Sequence, residues 1–305
     1  VSTRLRDALS AALIALSCLL LPCGATAAWA AYGLADTGRY VTAMAPLASD
    51  PAVRGTVADA LGTGILREVD RRLGGAPGAP EPRTVRPFVR DAADSFTRTA
   101  AFHAAWDAGN RVVHEAVLDA LRSRRTGPVT VDLAPVTAQV RQRLLDDHVT
   151  VARHIPVEHT EVPVLGADEL ARLRKGYDVL EVAGLWLPVA AGVLAAAGIA
   201  VAACRRRAVT ATALGTALGG ALLVLAVSLG RRLTLADLPE AAHRPAAGAV
   251  YDALTGPLRS VAWSLVALGL AVALAARLTG HLSRRRRRPA GPATDPAHRP
   301  TRARV

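Results

Sequence analysis

Cysteine is nearly missing from this 305-residue chain, which has only Cys18, Cys23 and Cys204. All three fall in apolar runs, so the polar part of the chain has no disulfide, thiol nucleophile or cysteine metal site. Aromatic residues make up only 4%, and lysine occurs once, as Lys175. A nucleic-acid surface needs basic residues on a folded face with stacking aromatics, whereas the excess of arginine here flanks apolar stretches. Also missing are a nucleophile elbow, a nucleotide fingerprint, a kinase set and a phosphate-binding glycine loop. Gly62-Thr63-Gly64 lies on a helical stripe and is no such loop. The most informative absence is charge: residues 8–35, 182–204, 208–230 and 260–276 contain no Asp, Glu, Lys or Arg.

Each of the first three stretches is long enough to cross the roughly 30 Å hydrocarbon layer as a helix. The fourth, with 17 uncharged residues, reaches across if Arg259 and Arg277 snorkel at its ends. The net charge of +12 is unevenly placed. Residues 36–181 carry 19 basic against 20 acidic side chains, and 231–259 carry four against three. The termini, the Arg205-Arg206-Arg207 run and the tail hold 14 arginines against Asp7 and Asp295. The whole excess therefore lies on segments that one topology puts in the cytoplasm, as the positive-inside rule requires.

The fold expected is a mainly α membrane protein with four transmembrane helices and a mostly helical extracytoplasmic domain with a small β element. Its segments are a cytoplasmic amino terminus (1–7), span one (8–35), the extracytoplasmic domain (36–181) and span two (182–204). A cytoplasmic turn (205–207), span three (208–230), an extracytoplasmic loop (231–257), span four (258–278) and a basic, disordered cytoplasmic tail (279–305) complete the chain. Trp29, Trp186 and Trp263 then fall at one interface, as an aromatic belt predicts. Ala25-Thr26-Ala27 resembles a signal-peptidase site, but the run continues through Trp29 and Tyr32 to Ala35, which favours a retained span.

In the polar segment, Asp36 is placed to cap a helix leaving the membrane, and Ser49-Asp50-Pro51 marks a second helix start. Val53, Val57, Leu61, Ile65, Val69 and Leu73 recur every four residues as one apolar stripe, ended by Gly74-Gly75. Residues 74–84 read as a loop. A long helix over 88–123, with a break near Ser95, buries Phe96, Trp106, Val113, Val117 and Leu121. Residues 129–133 alternate as a strand, Pro135 starts a helix, and 149–155 and 160–165 are further strand candidates. From Asp168 a helix with Leu170, Leu173, Tyr177 and Leu180 runs into Val182 without a breaker.

Candidate chemistry is sparse. His103, Asp107 and His114 fall at spacings of four and seven and, with Asn110, define either a hydrogen-bonded helix face or part of a metal site. No HExxH-type motif accompanies them, and the hydrogen-bonded face is the better reading. His148, His154 and His159 read as surface residues. No catalytic, cofactor-binding or metal residue is assigned. Ala211, Gly215 and Gly219 form a small-xxx-small face suited to helix packing. Arg205, Arg206 and Arg207, with Arg284, Arg285, Arg286, Arg287 and Arg288, set topology and are placed to contact anionic lipid. The span centres hold no ionisable residue, which argues against ion-coupled transport.

The stretches Asp36-Thr37-Gly38-Arg39-Tyr40-Val41 and Pro46-Leu47-Ala48-Ser49-Asp50-Pro51-Ala52-Val53 resemble an uncharacterised, Streptomyces-like group of actinobacterial integral membrane proteins. Phe102, Trp106, Asn110-Arg111 and His114, then Val131-Asp132-Leu133-Ala134-Pro135-Val136, continue the likeness, as do Trp186-Leu187-Pro188 and Arg205-Arg206-Arg207. The resemblance implies four spans and a large extracytoplasmic domain, and it transfers no activity. The expectation is a multi-pass cell-membrane protein, both termini cytoplasmic, sensing or binding at the cell envelope, a reading favoured over an enzyme without deciding against one. The bilayer is its first partner, and a membrane or envelope protein is a further candidate. An anchored extracytoplasmic enzyme and a transporter accessory subunit are the alternatives.

Overall fold

The computed structural model describes residues 3–73, 82–123, 127–146, 148, 152–153, 157, 159 and 161–286. Nine α-helices and one two-stranded sheet are found among them. Helix α1 (Thr3–Trp29) continues into a π-helical turn (Ala30–Leu34), followed by α2 (Thr37–Met44) and a 3-10 turn (Ala45–Ser49). Then come α3 (Pro51–Leu73), α4 (Pro82–Phe96), α5 (Ala100–Arg122), β1 (Val129–Asp132), α6 (Ala134–Asp146) and β2 (Glu161–Leu165). The chain continues with α7 (Ala167–Val201), α8 (Arg205–Ala236), a 3-10 turn (Ala241–His243) and α9 (Arg244–Arg286).

Four helices are long and apolar enough to cross a membrane: Arg4–Leu34, Ala167–Val201, Arg205–Ala236 and Ala241–Thr279. Their outer faces are rows of uncovered aliphatic side chains; Leu19 is 67% exposed and Leu218 62%. Water would penalise such rows and hydrocarbon would not.

The helices pack as two antiparallel pairs, α1 with α7 and α8 with α9, joined by α1 against α8. Along α1 and its π-helical continuation, Ser10, Ser17, Gly24 and Ala31 repeat every seven residues, and on α7 so do Gly184, Ala191 and Gly198. The Ser10 hydroxyl donates to the Gly198 carbonyl and the Ser17 hydroxyl to that of Ala191, each at 2.7 Å. A Cβ added to Gly24 would lie 2.9 Å from the Pro188 nitrogen, and one on Gly184 2.7 Å from the Ala31 Cβ. A seven-residue repeat holds one face of each helix to its partner, and small residues at that period let the backbones nearly touch. Helix α9 uses the same device: Gly248, Thr255, Ala262, Gly269 and Ala276 are seven apart, and Ala262 lies over Gly220 of α8.

The domain built from α2 to α6 shares its core with the long helices. Leu170, near the start of α7, is buried with Leu118, Leu121 and Val129. Ala246 of α9 is buried with Met44, Leu47 and Val53. Strand β1 pairs antiparallel with β2, and its register shifts between Val129 and Thr130, beside the pairing of Thr130 with Pro163.

Several expectations change. The arginines 205–207 are not a turn: the bend is residues 202–204, and Arg205 opens α8. The expected loop 231–257 is mostly helical, because α8 runs to Ala236 and α9 starts at Arg244. Helix α9 is therefore far longer than its uncharged stretch. Trp29 donates its indole N–H to the Leu254 carbonyl, nine helical residues or about 14 Å from Trp263, so the tryptophans form no single belt.

The break expected near Ser95 in the helix over 88–123 is present, between the end of α4 at Phe96 and the start of α5 at Ala100. Thr97 is fully buried between them, and Thr99 caps the second by accepting from the Phe102 N–H. The α3 stripe fails beyond its first turns: Val53 is buried, but Leu61 and Ile65 are exposed. Four residues turn a helix about 400°, so a strict period of four drifts about 40° per step and winds off the contact. The Gly74-Gly75 stop lies outside the described residues, as does most of the strand expected over 149–155, where 152–153 form a 3-10 turn.

Gly184→Leu is expected to lower the stability of the detergent-solubilised protein by about 1–3 kcal/mol through overpacking. Gly192→Leu, on the open face of α7 with no atom within 4 Å of an added Cβ, should leave the thermal midpoint nearly unchanged. Equal effects in thermal unfolding would refute the α1–α7 seam.

Candidate functional site

The end of α1 is where bundle and domain are fastened together. Its last turn widens into the π-helix Ala30–Leu34, and Asp36 opens α2 by accepting the Arg39 N–H at 2.7 Å. The Leu34 carbonyl meets His114 Nε2 of α5 at 2.8 Å, and Thr37 Oγ1 lies 3.1 Å from His114 Nδ1. A carbonyl accepts only, so Nε2 carries the hydrogen, and Thr37 donates to Nδ1 when the ring is neutral. Tyr40 stacks on this imidazole, 4.2 Å between centroids and 16° from parallel. Burial pushes the His114 pKa down, against the opposing pull of the Leu34 hydrogen bond and Glu115. Burial also pushes the Tyr40 phenol up.

The same face of α5 is bonded along α2 and the following turn. Trp106 Nε1 donates to the Met44 carbonyl at 2.9 Å. Asn110 donates to the Trp106 carbonyl at 2.8 Å and accepts the Tyr40 hydroxyl at 3.4 Å. His103 Nδ1 donates to the Thr99 carbonyl at 2.9 Å, which leaves Nε2 to accept from Ser49 Oγ at 3.0 Å. His103, Asn110 and His114 thus each make two hydrogen bonds of their own, and Asp107 enters none of them. Among the described residues, no group of three His, Cys, Asp or Glu side chains is placed to hold a metal ion.

Of the other histidines, His148 has a left-handed φ of 62°, His159 Nδ1 pairs with Asp132 at 2.5 Å, and His154 lies outside the described residues. Gly215 and Gly219 of α8 face α1: a Cβ on Gly215 would collide with the Cys18 sulfur, and one on Gly219 would lie 3.3 Å from the Cys18 carbonyl oxygen. Ala211 is exposed beside a cleft lined by Asp7 and Arg207. Arg206 reaches α9, donating to the Ala276 carbonyl at 2.7 Å and Thr279 Oγ1 at 3.1 Å. Arg284, Arg285 and Arg286 end α9, while Arg287 and Arg288 lie outside the described residues.

Two cavities flank the π-turn. One, of about 530 Å3, is lined by Ala30, Ala31, Leu180 and Leu185 together with Arg39, Arg122, Tyr177 and Glu181. The other, of about 550 Å3, lies between Trp29, Leu34, Tyr40 and Leu254, with Arg39 again at its edge. Arg39 donates to the Tyr32 carbonyl at 3.1 Å, and Arg122 Nε to the Tyr177 hydroxyl at 3.4 Å. The Tyr177 hydroxyl raises the Arg122 pKa further, so the guanidinium stays charged.

A third assembly escaped the sequence. Arg231 of α8 donates through Nε to both carboxylate oxygens of Asp252 at 3.0 and 3.1 Å, and Arg259 Nη2 reaches Asp252 Oδ1 at 3.3 Å. The signal was present as two arginines and an aspartate flanking an apolar hairpin, but their pairing depends on α8 and α9 continuing beyond it as helices. No protein-family model, curated protein or solved structure matches the chain.

Because burial lowers the His114 pKa from its ordinary 6.5, the unfolded chain binds the proton more readily. The stabilisation from neutral His114 is full above that value and is lost as pH falls towards the folded pKa. His114→Gln, which keeps a donor and an acceptor without titrating, should flatten the decline in thermal midpoint between about pH 7 and about pH 5. His114→Ala should cost about 1–3 kcal/mol at neutral pH by leaving the Leu34 carbonyl unpaired. Identical pH profiles for wild type and His114→Gln would contradict this assignment.

Proposed function

We propose that this is a multi-pass cell-membrane protein whose extracytoplasmic domain, residues 36–181, binds or senses a component of the cell envelope and passes its state to the spans. Both termini are cytoplasmic in this reading, and the concentration of arginine at 205–207 and in the tail supports that orientation. The observation that carries the proposal is the unbroken helix α7. Its first turn places Leu170, 2% exposed, in the domain core. Its later turns set Gly184, Ala191 and Gly198 against α1. Thirty-five residues of continuous helix reach about 52 Å. A rearrangement around Leu170 therefore moves a membrane helix with no flexible linker to absorb it. Helix α9 supplies a parallel connection, with Ala246 in the domain core and Ala262 in the bundle.

Orientation is tested with single cysteines in a chain whose three native cysteines are replaced. Arg98→Cys should react with a membrane-impermeant maleimide on intact cells, and Arg206→Cys only after permeabilisation. The reverse pattern would sink the orientation. Coupling is tested by Leu170→Ala, expected to cost about 2–5 kcal/mol and to speed amide hydrogen exchange in α7 beyond Glu181. Faster exchange confined to residues before Glu181 would mean that the domain and the span move independently.

A further inference from the structure

The cavity of about 530 Å3 beside the π-turn combines features that select a ligand class. Its floor comes from the end of the α1 apolar stretch and the start of the α7 one, through Ala30, Ala31 and Leu185, while Leu180 sits one residue to the domain side of Glu181. The same cavity is lined by the Arg39 and Arg122 side chains and by Glu181, one helical turn before Leu185. The cavity thus changes from apolar to charged along the bundle axis, as a bilayer does at its headgroup level.

The polar groups of the cavity are incompletely used. Arg39 and Arg122 each commit one N–H, to the Tyr32 carbonyl and the Tyr177 hydroxyl, out of the five donors a guanidinium carries. Among the described residues Glu181 makes no hydrogen bond, although its charge acts on Arg122. Asp36, on the same wall, is occupied as the cap of α2. Two cations and two anions leave no net charge, which disfavours a simple anion. A phosphodiester between the two arginines would be held by charge-assisted bonds, while the free Glu181 calls for a cation with N–H donors of its own.

We propose that this cavity is a lipid headgroup site selective for a phosphodiester carrying a primary ammonium, as in phosphatidylethanolamine. Arg39 and Arg122 hold the phosphate, Glu181 accepts from the ammonium, and the apolar floor carries the start of the acyl chains. A quaternary ammonium lacks the N–H donors that Glu181 would accept, and a glycerol headgroup lacks the positive charge. The site rests on α1 and α7 crossing the bilayer, but on neither the sensing role nor the orientation of the domain. Cysteine labelling and lipid retention therefore fail independently.

The test is native mass spectrometry of the full-length protein in mild detergent, offered equal amounts of phosphatidylethanolamine, phosphatidylcholine and phosphatidylglycerol with identical acyl chains. Wild type should retain the ethanolamine lipid about tenfold over the other two, in keeping with two or three charge-assisted bonds. Glu181→Gln should bring it down to the choline lipid's level, Glu181→Lys should move the preference to the glycerol lipid, and Arg39→Ala with Arg122→Ala should abolish retention. All three side chains are exposed, and each variant is checked for wild-type helicity and elution. If the double arginine variant does not fold, the two Glu181 variants decide. Soluble phosphoethanolamine should not displace the lipid, since it has no chains for the floor. Equal retention of all three lipids by wild type would overturn the proposal, as would a glycerol-lipid preference insensitive to Glu181→Gln. Undiminished binding in a folded double arginine variant, or displacement by soluble phosphoethanolamine, would do the same.

Discussion

Everything in this molecule hangs on how closely α1 and α7 approach. Where Gly184 meets Ala31 there is no room for one more methyl group, and the Ser10 and Ser17 hydroxyls bridge to the opposite backbone. In hydrocarbon, apolar side chains gain nothing by leaving lipid for protein, so packing and interhelical hydrogen bonds must hold helices together. Small residues every seven positions supply both. Because α1 and α7 are more than a hundred residues apart in sequence, this seam also sets where the intervening domain must begin and end.

The domain is consequently closed from below. Its entry is fastened by His114, which ties the Leu34 carbonyl and Thr37 to α5, and its exit is the α7 helix itself. A neutral, half-buried imidazole suits the first task, since one ring nitrogen donates and the other accepts. The charges at the same end of α8 and α9 are gathered on one carboxylate, Asp252, between Arg231 and Arg259. Two arginines that would stand apart at the edge of an apolar bundle are thereby given a shared partner.

Much of this was legible from the residues. Charge-free stretches marked the four apolar helices, Asp36 and Ser49-Asp50-Pro51 marked helix starts, and the absence of a breaker between Asp168 and Val182 marked one continuous helix. The strand at Val129 was legible by alternation and the one at Glu161 only as a candidate carrying Pro163, and their mutual pairing was not legible. The candidate set of His103, Asp107, Asn110 and His114 was visible as a helical face, but its partners, Ser49, Tyr40, Thr37 and the Leu34 carbonyl, lie 54 to 80 residues away. Spacing within a helix reports which residues share a side, and it carries no information about what covers that side.

The sequence by itself determined the cores of most helices and which of them suit hydrocarbon, because length, charge and capping are local properties of a chain. Only the tertiary structure decided that Arg205 begins a helix, that 231–257 is largely helical and that the heptads of α1 and α7 face one another. It also decided that Arg39, Arg122 and Glu181 line one cavity beside the π-turn. These are outcomes of long-range packing, in which each helix chooses among faces of similar local merit by what the distant partner can accommodate.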